Sequence, residues 1–565
     1  MINSLPPGMI LILGAFLLPL LRGRAQSALF VALPVISGWH LLQFWDLQGA
    51  VVSLSLFDYS LTPVRVDKLS LLFGLIFHIV AFLSAIYAAH VRDTMQQVAA
   101  LAYAGAAIGA VFAGDLITLF VFWELTAITS VFLIWASRTE RSYSSGMRYL
   151  IIHVTSGVLL LAGALIHFQA TGSLAFDHLG LHSLGTTLIF LAFGIKCAFP
   201  LLHNWLQDAY PEATITGTVF LSSFTTKLAI YALARGFADT PILIVIGAVM
   251  TIFPIFFAVV ENDLRRVLAY SLNNQLGFMV VGIGIGTPLA LNGAASHAFA
   301  HLLYKSLLFM SMGAVLDRTG TCKASRLGGL YRSMPWTTAF CIVGAMSISA
   351  FPLFSGFVTK SMVLSAAAEH HLTIAFIALL FASTGVLEHS GIKIPFFAFF
   401  AHDSGIRCKE ARPNMLIAMA FSAALCIGIG VYRAPLMALL PYDVEYAAYT
   451  PTHVLTQLQM LVFAILAFVV LMRSGLYPKE LAAINLDSDW FYRRFVPRIW
   501  AGATGALQSA RDAIIRVGEG PLRRVGDGVY RHYRPDGILA RRWATSSSVI
   551  WICLLLLICL IVYYG

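Results

Sequence analysis

The stretch Gly194-Ile-Lys-Cys-Ala-Phe-Pro-Leu-Leu-His-Asn-Trp205 places a lysine and a proline inside one apolar segment. A second stretch, Ser349-Ala-Phe-Pro-Leu-Phe-Ser-Gly-Phe-Val-Thr-Lys360, repeats that combination. Because proline removes a backbone donor and breaks the helical hydrogen-bond ladder, we predict two discontinuous helices, broken at Pro200, Pro352 and Gly356. Such a pair is typical of transporters built from inverted repeats. A packing kink beside a lysine that snorkels to the surface is the alternative.

Composition places the chain in a membrane. Its 565 residues are 59% hydrophobic and 11% charged, whereas soluble proteins average about 25% charged residues. We therefore predict an all-α polytopic membrane protein with about 14–16 transmembrane helices of about 20 residues each. The net charge of +10 does not indicate a nucleic-acid partner, because the basic residues gather in the loops of one side.

The distribution of basic residues predicts the orientation of the chain. Connections rich in Lys and Arg alternate with poor ones, which places the N-terminus outside and the 317–335 loop in the cytoplasm. The stretch Met1–Leu21 lacks a basic leader and a cleavage site, so we expect a retained first helix. The alternating segment 49–66 is too polar to span and predicts an external hairpin.

Five charged residues lie inside long apolar segments: Glu124, Lys196, Lys227, Lys305 and Lys360. A charge at the bilayer centre costs about 2.5–3.5 kcal/mol even on lenient insertion scales. A chain that keeps them holds them away from lipid, and we predict that they carry protons. We hypothesise that the glutamate and the first lysine form an ion pair that opens and closes. Packing roles, such as a carboxylate pinned by neighbouring hydroxyls, remain the alternative.

A histidine stripe joins this set. His297, His301 and Lys305 are spaced at i, i+4 and i+8, which stacks them on one helical face over about 12 Å. Histidine titrates near neutral pH without help, so the stripe predicts a proton relay. A single buried histidine is more often a satisfied core residue, but three ionisable side chains in register are harder to explain by packing.

Other chemistries find no support in the sequence. It contains no nucleophile elbow, nucleotide-binding loop or zinc spacing, and its seven cysteines show no paired spacing. The glycines of Gly282-Ile-Gly-Ile-Gly286 have neither the strand nor the helix context of a dinucleotide site. We therefore expect an ion transporter subunit without a cofactor or metal, and not an enzyme unless it is part of a redox-driven translocase.

Several strings together carry a family resemblance. They are Gly114-Asp-Leu-Ile-Thr-Leu-Phe-Val-Phe-Trp-Glu124, the segment Lys196–Ala209, Thr226-Lys-Leu-Ala-Ile-Tyr231, Asp263-Leu-Arg-Arg-Val-Leu-Ala-Tyr-Ser271, the segment from His297 through Lys305, and Ser355-Gly-Phe-Val-Thr-Lys360. Over roughly residues 65–370 the chain resembles the antiporter-like, proton-translocating membrane subunits of Mrp-type cation/proton antiporters, respiratory complex I and membrane hydrogenases. Among these it most resembles the D-type component of Mrp antiporters. It departs from the family at Gln207 and Thr214-Ile-Thr216, where prolines are usual.

The resemblance implies a fold and a set of roles. The fold is two inverted five-helix repeats around a polar axis parallel to the membrane. Glu124 and Lys196 correspond to the paired residues of the first half-channel, and Lys227 corresponds to the connecting lysine. The stripe of two histidines and a lysine corresponds to the central relay, and Lys360 corresponds to the terminal lysine.

We expect six regions along the chain. In order, they are N-terminal helices with the hairpin (1–95), the first inverted repeat (96–236), the second inverted repeat (237–401), C-terminal core helices (402–473), a basic amphipathic segment (474–545) and a final transmembrane helix (546–565). A further polar cluster, Glu388-His389 with Lys393, lies late in the second repeat. It is either an exit group of the proton pathway or a charge at a subunit contact.

The basic segment 474–545 holds twelve Lys and Arg against seven Asp and Glu. Residues 499–517 are amphipathic and predict a helix on the membrane surface. A final helix after such a segment resembles the largest antiporter-like subunit of complex I, where it implies contact with a neighbouring subunit. Binding to anionic lipid is the alternative.

The sequence thus predicts a proton-translocating subunit of a multi-subunit Mrp-like Na⁺ or K⁺/proton antiporter in a bacterial inner membrane. Two alternatives remain open: a proton-pumping subunit of a complex I-like or hydrogenase complex, and a proton-flux partner of an inorganic-carbon uptake system. The partners would be other membrane subunits, and the sequence leaves the transported cation open.

Overall fold

The computed structural model describes residues 5–56, 59–478, 480, 481, 485, 487–534 and 545–564. Within this part of the chain, 12 helices are long and apolar enough to cross a membrane. Three shorter apolar helices accompany them, and one two-stranded sheet is present among the described residues. The prediction of an all-α polytopic membrane protein is confirmed.

The N-terminal region contains three helices and a hairpin. In chain order, the elements are α1 (Met9–Ala15), α2 (Gly23–Leu42), β1 (Val51–Leu56), β2 (Tyr59–Arg65) and α3 (Lys68–Ala88). The two strands pair antiparallel, with Val51 opposite Arg65 and an irregular register between Val52 and Leu54. The hairpin lies between α2 and α3 along the chain, while α1 packs against the helix Thr94–Phe112 and α2 packs against α3.

Two successive sets of helices form the centre of the bundle. The first is α4 (Thr94–Phe112), α5 (Leu116–Trp135), α6 (Glu140–Thr171), α7 (Leu184–Cys197), α8 (Asn204–Ala209), α9 (Ile215–Ser223) and α10 (Thr225–Gly236). The second is α11 (Ile242–Val260), α12 (Leu264–Ile285), α13 (Pro288–Thr319), α14 (Pro335–Ile348), α15 (Ser355–Glu369), α16 (Thr373–Val386) and α17 (Lys393–Pro395), with π-helical turns at Leu387–Ile392 and Phe396–Phe400.

The remaining helices follow the second set. They are α18 (Pro413–Val431), α19 (Ala434–Ala438), α20 (Pro451–Ser474), α21 (Val496–Tyr533) and α22 (Thr545–Tyr564). The chain divides into two compact units, Met1–Asn485 and Leu486–Gly565. The second unit contains α21, a 38-residue helix that is longer than the predicted amphipathic stretch 499–517. Of the predicted basic segment, residues 479, 482–484, 486 and 535–544 lie outside the described residues.

The two central sets share the same local construction. Asp115 caps the N-terminus of α5, and Asp263 caps that of α12, each accepting hydrogen bonds from two backbone N–H groups of the first turn. Each aspartate also forms an isolated antiparallel bridge, the first with Ala175 and the second with Lys323. The two bridges join residues that are equally far apart along the chain, 115 with 175 and 263 with 323. Five apolar segments lie between the start of α5 and that of α12, and an odd number of segments is what inverted repeats require.

The predicted discontinuous helices are confirmed at Pro200 and Pro352, whereas Gly356 lies in the first turn of α15 and not in the break. The breaks between α7 and α8 and between α14 and α15 contain the same tetrapeptide, Ala-Phe-Pro-Leu, at 198–201 and 350–353. In both breaks the alanine and the leucine adopt positive φ, with values of 61° and 69° in the first and 56° and 74° in the second. The proline between them has no N–H to donate, so the helix cannot continue through it.

At each break, a side-chain amide from a distant helix donates a hydrogen bond to a backbone carbonyl oxygen. Asn273 of α12 donates from Nδ2 to the carbonyl oxygen of Ala198 at 3.1 Å. Gln457 of α20 donates from Nε2 to the carbonyl oxygen of Ser349 at 3.4 Å. Unpaired backbone groups are costly in a membrane interior, so these two amides stabilise the breaks in the same manner.

Candidate proton-translocation pathway

Lys196 lies at the end of α7, next to the first break, and is fully buried. Its Nζ donates to the carbonyl oxygen of Trp123 at 2.5 Å and to Oγ1 of Thr126 at 2.9 Å, both on α5. The same nitrogen lies 4.4 Å from the centre of the Trp123 ring, a position suited to a cation–π contact. Neutral acceptors and one aromatic face therefore hold the ammonium group.

Glu124 follows Trp123 on α5, but its carboxylate does not hold the lysine. Among the described residues, its buried Oε1 accepts no hydrogen bond, and the structure forms no ion pair between it and Lys196. The carboxylate instead packs against Gly157 of α6, where an added Cβ atom would overlap Oε1. The hypothesis of a pair that opens and closes stays a prediction.

Gly157→Ala tests whether the position of the Glu124 carboxylate matters. The added methyl group must displace the carboxylate, which is the movable end of a flexible side chain. We expect proton flux to fall several-fold while the protein still folds. The measurement is cation-dependent proton flux in vesicles beside the melting temperature of the purified protein. Gly428→Ala is the matched control, because no atom lies within 4 Å of its added Cβ; equal flux in both variants would contradict the prediction.

Lys227 sits just after a further interruption, at Phe224 between α9 and α10. Its buried Nζ donates to the carbonyl oxygen of Ser222 at 2.7 Å. Tyr103 of α4 binds the other side of the interruption, accepting from the backbone N–H of Thr225 at 2.9 Å. Lys227 therefore caps the end of α9, whose last carbonyls lack their usual helical partners.

The histidine stripe lies on α13 and is fully buried. His297 places Nδ1 3.0 Å from Oγ1 of Thr359 and Nε2 3.3 Å from the Tyr304 hydroxyl, which in turn donates to Gln275 at 3.0 Å. His301 is different, because neither of its ring nitrogens has a hydrogen-bond partner in the described part of the chain. Hydrogen bonds thus hold the His297 ring in place, whereas the His301 ring has none among the described residues.

Two lysines continue from the stripe in different states. Nζ of Lys305 has no hydrogen-bond partner among the residues that the structure describes and lies 5.8 Å from the Phe309 ring centre. Nζ of Lys360, on α15, donates to the carbonyl oxygen of Ile348 at 2.6 Å, at the end of α14. The second break therefore supplies an acceptor for Lys360, and a helix C-terminus also favours a positive charge there.

The late polar cluster acquires a partner from outside the second repeat. Lys393 is buried, and its Nζ donates to the carbonyl oxygens of Val259 at 2.6 Å and Glu261 at 2.7 Å. It also forms an ion pair with Glu480 at 2.9 Å. Glu388, by contrast, is partly exposed on the adjoining π-helical turn. The structure thus joins the lysine to a residue of the segment after α20.

Sequence reasoning missed several of these polar groups. The Asn273-Asn274-Gln275 run of α12 is fully buried, and the cost of polar groups in a membrane helix was a signal that could have found it. Glu480 offered no such signal, because it stands in a polar, basic stretch. Within the described residues, no group of three or more His, Cys, Asp or Glu side chains is placed to hold a metal ion.

The chain is similar in sequence to a family of membrane subunits from antiporters and quinone oxidoreductases. Residues 113–387 match the family described as "NADH:quinone oxidoreductase/Mrp antiporter, TM". The D component of the Na(+)/H(+) antiporter of Alkalihalophilus pseudofirmus is 32% identical over 357 residues, covering 58% of this chain and 71% of the relative. The chain belongs to this antiporter-like membrane subunit family. Its place in the membrane as a multi-pass protein follows from the family and from the apolar helices.

The chain is also similar to a hydrogenase component and to a chain of a solved Mrp complex. Hydrogenase-4 component B of Escherichia coli is 27% identical over 430 residues, covering 66% of this chain, and the chain spans 63% of that relative's length. A chain in the solved structure of the Mrp complex from Dietzia superposes with a TM-score of 0.71 at 20% identity. That superposition covers 81% of this chain and 99% of the other and shows a shared fold.

Proposed function

We propose that this chain is a proton-translocating membrane subunit of a multi-subunit Mrp-like monovalent cation/proton antiporter. Protons pass along Glu124, Lys196, Lys227, His301, Lys305 and Lys360. One observation carries the proposal: all four lysines are buried, and three of them donate to backbone carbonyls. Lys227 and Lys360 donate to carbonyls at helix ends, and Lys196, which lies beside the first break, donates to a carbonyl of α5. Neutral acceptors hold an ammonium group less tightly than a carboxylate would, so these sites can release a proton.

Charge repulsion orders the movement of protons along this series. A protonated lysine raises the free energy of the next ammonium group in a low-dielectric interior, so each transfer favours release from the following site. At Lys196, the unpaired carboxylate of Glu124 offers a competing position for the ammonium group. If the Lys196 ammonium group moved from the Trp123 carbonyl to the Glu124 carboxylate, its affinity for the proton would change.

A branch toward one membrane face is part of the proposal. His297, Glu388 and Lys393 are its members, and the buried pair between Lys393 and Glu480 at 2.9 Å supports it. The distribution of basic loops supports a bacterial inner-membrane location, with the N-terminus outside and the basic 474–545 segment in the cytoplasm. In that arrangement α21 lies along a neighbouring subunit or on anionic lipid.

We propose that the partners are other membrane subunits of a hetero-oligomeric complex that exchanges Na⁺ or K⁺ for protons. The names of the antiporter relative and of the Mrp complex support this assignment. A redox-driven complex is the second candidate, favoured by the hydrogenase-4 relative and by the long helix α21 before the final helix α22. In that case redox chemistry belongs to a partner subunit.

Cation-dependent pH change in everted membrane vesicles tests the proposal. The vesicles contain the complete complex, carrying either the native chain, Lys360→Ala, or the control Lys409→Ala at an exposed lysine. We expect added Na⁺ or K⁺ to collapse an imposed pH gradient in vesicles with the native or the control chain. In vesicles with the K360A variant, we expect the gradient to collapse at least tenfold more slowly.

The outcomes separate the candidates. Proton movement that requires a reductant and ignores Na⁺ and K⁺ would replace the antiporter proposal with the redox-driven one. Full cation-dependent flux in K360A would remove the terminal lysine from the pathway.

A further inference from the structure

The two long helices α6 and α13 occupy equivalent places in the two repeats. Both have 32 residues, and both end at a glycine in the left-handed conformation, Gly172 and Gly320. Counting back equally from these glycines, His153 of α6 occupies the position that His301 occupies in α13. Residue spacing does not single out this histidine in the sequence, because no second ionisable residue follows it at helical intervals.

The two histidines share the same environment. Each side chain is fully buried, and in each ring neither Nδ1 nor Nε2 has a hydrogen-bond partner within the described part of the chain. A buried polar group without a hydrogen-bond partner destabilises the folded state. Both repeats therefore keep a destabilising imidazole at the same position of the same helix.

The surroundings of His153 connect it to the first half-channel. Its ring centroid lies 4.0 Å from that of Tyr149 and 4.4 Å from that of Trp205. The Trp205 indole N–H donates at 3.0 Å to the carbonyl oxygen of Ile195, the residue before Lys196. His153 thus packs against the helix that follows the first break.

Polar contacts on α6 extend to both sides of the histidine. One turn toward the C-terminus, Ser156 accepts from the Trp123 indole at 3.0 Å, and the next residue packs against the Glu124 carboxylate. One turn toward the N-terminus, the Tyr149 hydroxyl lies 2.9 Å from that of Ser130. The preceding Arg148, partly exposed, forms an ion pair with Asp208 at 2.7 Å. Along α6, His153 therefore lies between a partly exposed ion pair and the residues that pack against Trp123 and Glu124.

We propose that His153 carries protons between the Arg148–Asp208 end of α6 and Lys196, as the first-repeat counterpart of His301. In each passage one ring nitrogen gains a proton and the other loses one, so the imidazole returns to its neutral form with its tautomer exchanged. Rotation of the ring restores the starting tautomer. This assignment rests on the proposed function, because it adds a carrier to that pathway.

An aromatic packing role is the alternative, since Tyr149 and Trp205 enclose the ring. Three substitutions separate the two roles: His153→Phe keeps an aromatic ring, His153→Gln keeps a polar side chain without a titratable proton, and His153→Glu has the shape of glutamine but carries a proton. A proton carrier predicts flux in the order His, Glu, then Gln and Phe, with at least a tenfold loss in H153F. A packing role predicts near-native flux in H153F and low flux in both H153E and H153Q.

The experiment measures cation-dependent proton flux and melting temperature for the complete complex in vesicles and in detergent. His167→Phe, on the same helix but partly exposed, is the matched control and should keep native flux. Native flux in H153F, or equal flux in H153E and H153Q, overturns the inference. Retained flux in a Lys196→Ala complex would instead overturn the proposed function, so the two failures are distinguishable. If H153F fails to assemble, the comparison of H153E with H153Q decides.

Discussion

Replacing Lys196 by alanine is expected to reduce cation-dependent proton flux to the background of empty vesicles. The substitution removes the ammonium group at the end of α7, which donates to the Trp123 carbonyl and to the Thr126 hydroxyl. Lys196→Arg is expected to be equally inactive, for a different reason. A guanidinium keeps the positive charge and the aromatic contact but does not lose its proton in proteins.

The two Lys196 variants therefore test chemistry separately from structure. Flux is measured in everted vesicles containing the complete complex, and the melting temperature is measured on the purified complex. We expect the arginine variant to stay folded, because its charge and hydrogen-bond donors remain. Native flux in K196R would show that position 196 supplies only a fixed charge. Lys409→Ala is again the matched control, since its side chain is exposed.

Gly356→Ala is expected to disrupt the second break. An added Cβ atom would overlap the carbonyl oxygen of Ser347, which is backbone and cannot rotate away. The start of α15 must therefore move away from the end of α14. Overpacking of this kind typically costs about 1–3 kcal/mol. The shift also separates Nζ of Lys360 from the Ile348 carbonyl, which it now approaches to 2.6 Å.

We expect G356A to lower the melting temperature and to lose most of the proton flux. Gly428→Ala is the control, because it adds the same methyl group to α18 with no atom within 4 Å. A G356A complex with native melting temperature and native flux would show that the break tolerates a shift of α15. Loss of flux without loss of stability would indicate that the position of Lys360 alone is sensitive.

Much of this architecture could be predicted from particular residues. Pro200 and Pro352 end helices wherever they stand, because the missing N–H is a local property. Glu124 and the four lysines are conspicuous because a charge in an apolar segment is costly whatever surrounds it. The internal repeat was less visible, since its clearest marks are the bridges at Asp115 and Asp263, which depend on loops that lie far away along the chain.

Individual segments encode the class of protein, the two broken helices and the chemical identity of the buried ionisable groups, because each of these follows from local composition. The partners of those groups emerge only when the helices pack. Packing placed Lys196 on a carbonyl instead of on Glu124, joined Lys393 to Glu480, and left His153 and His301 unpartnered among the described residues. Such contacts join segments distant in sequence, and the crossing geometry of the helices, which no single segment encodes, sets their distances.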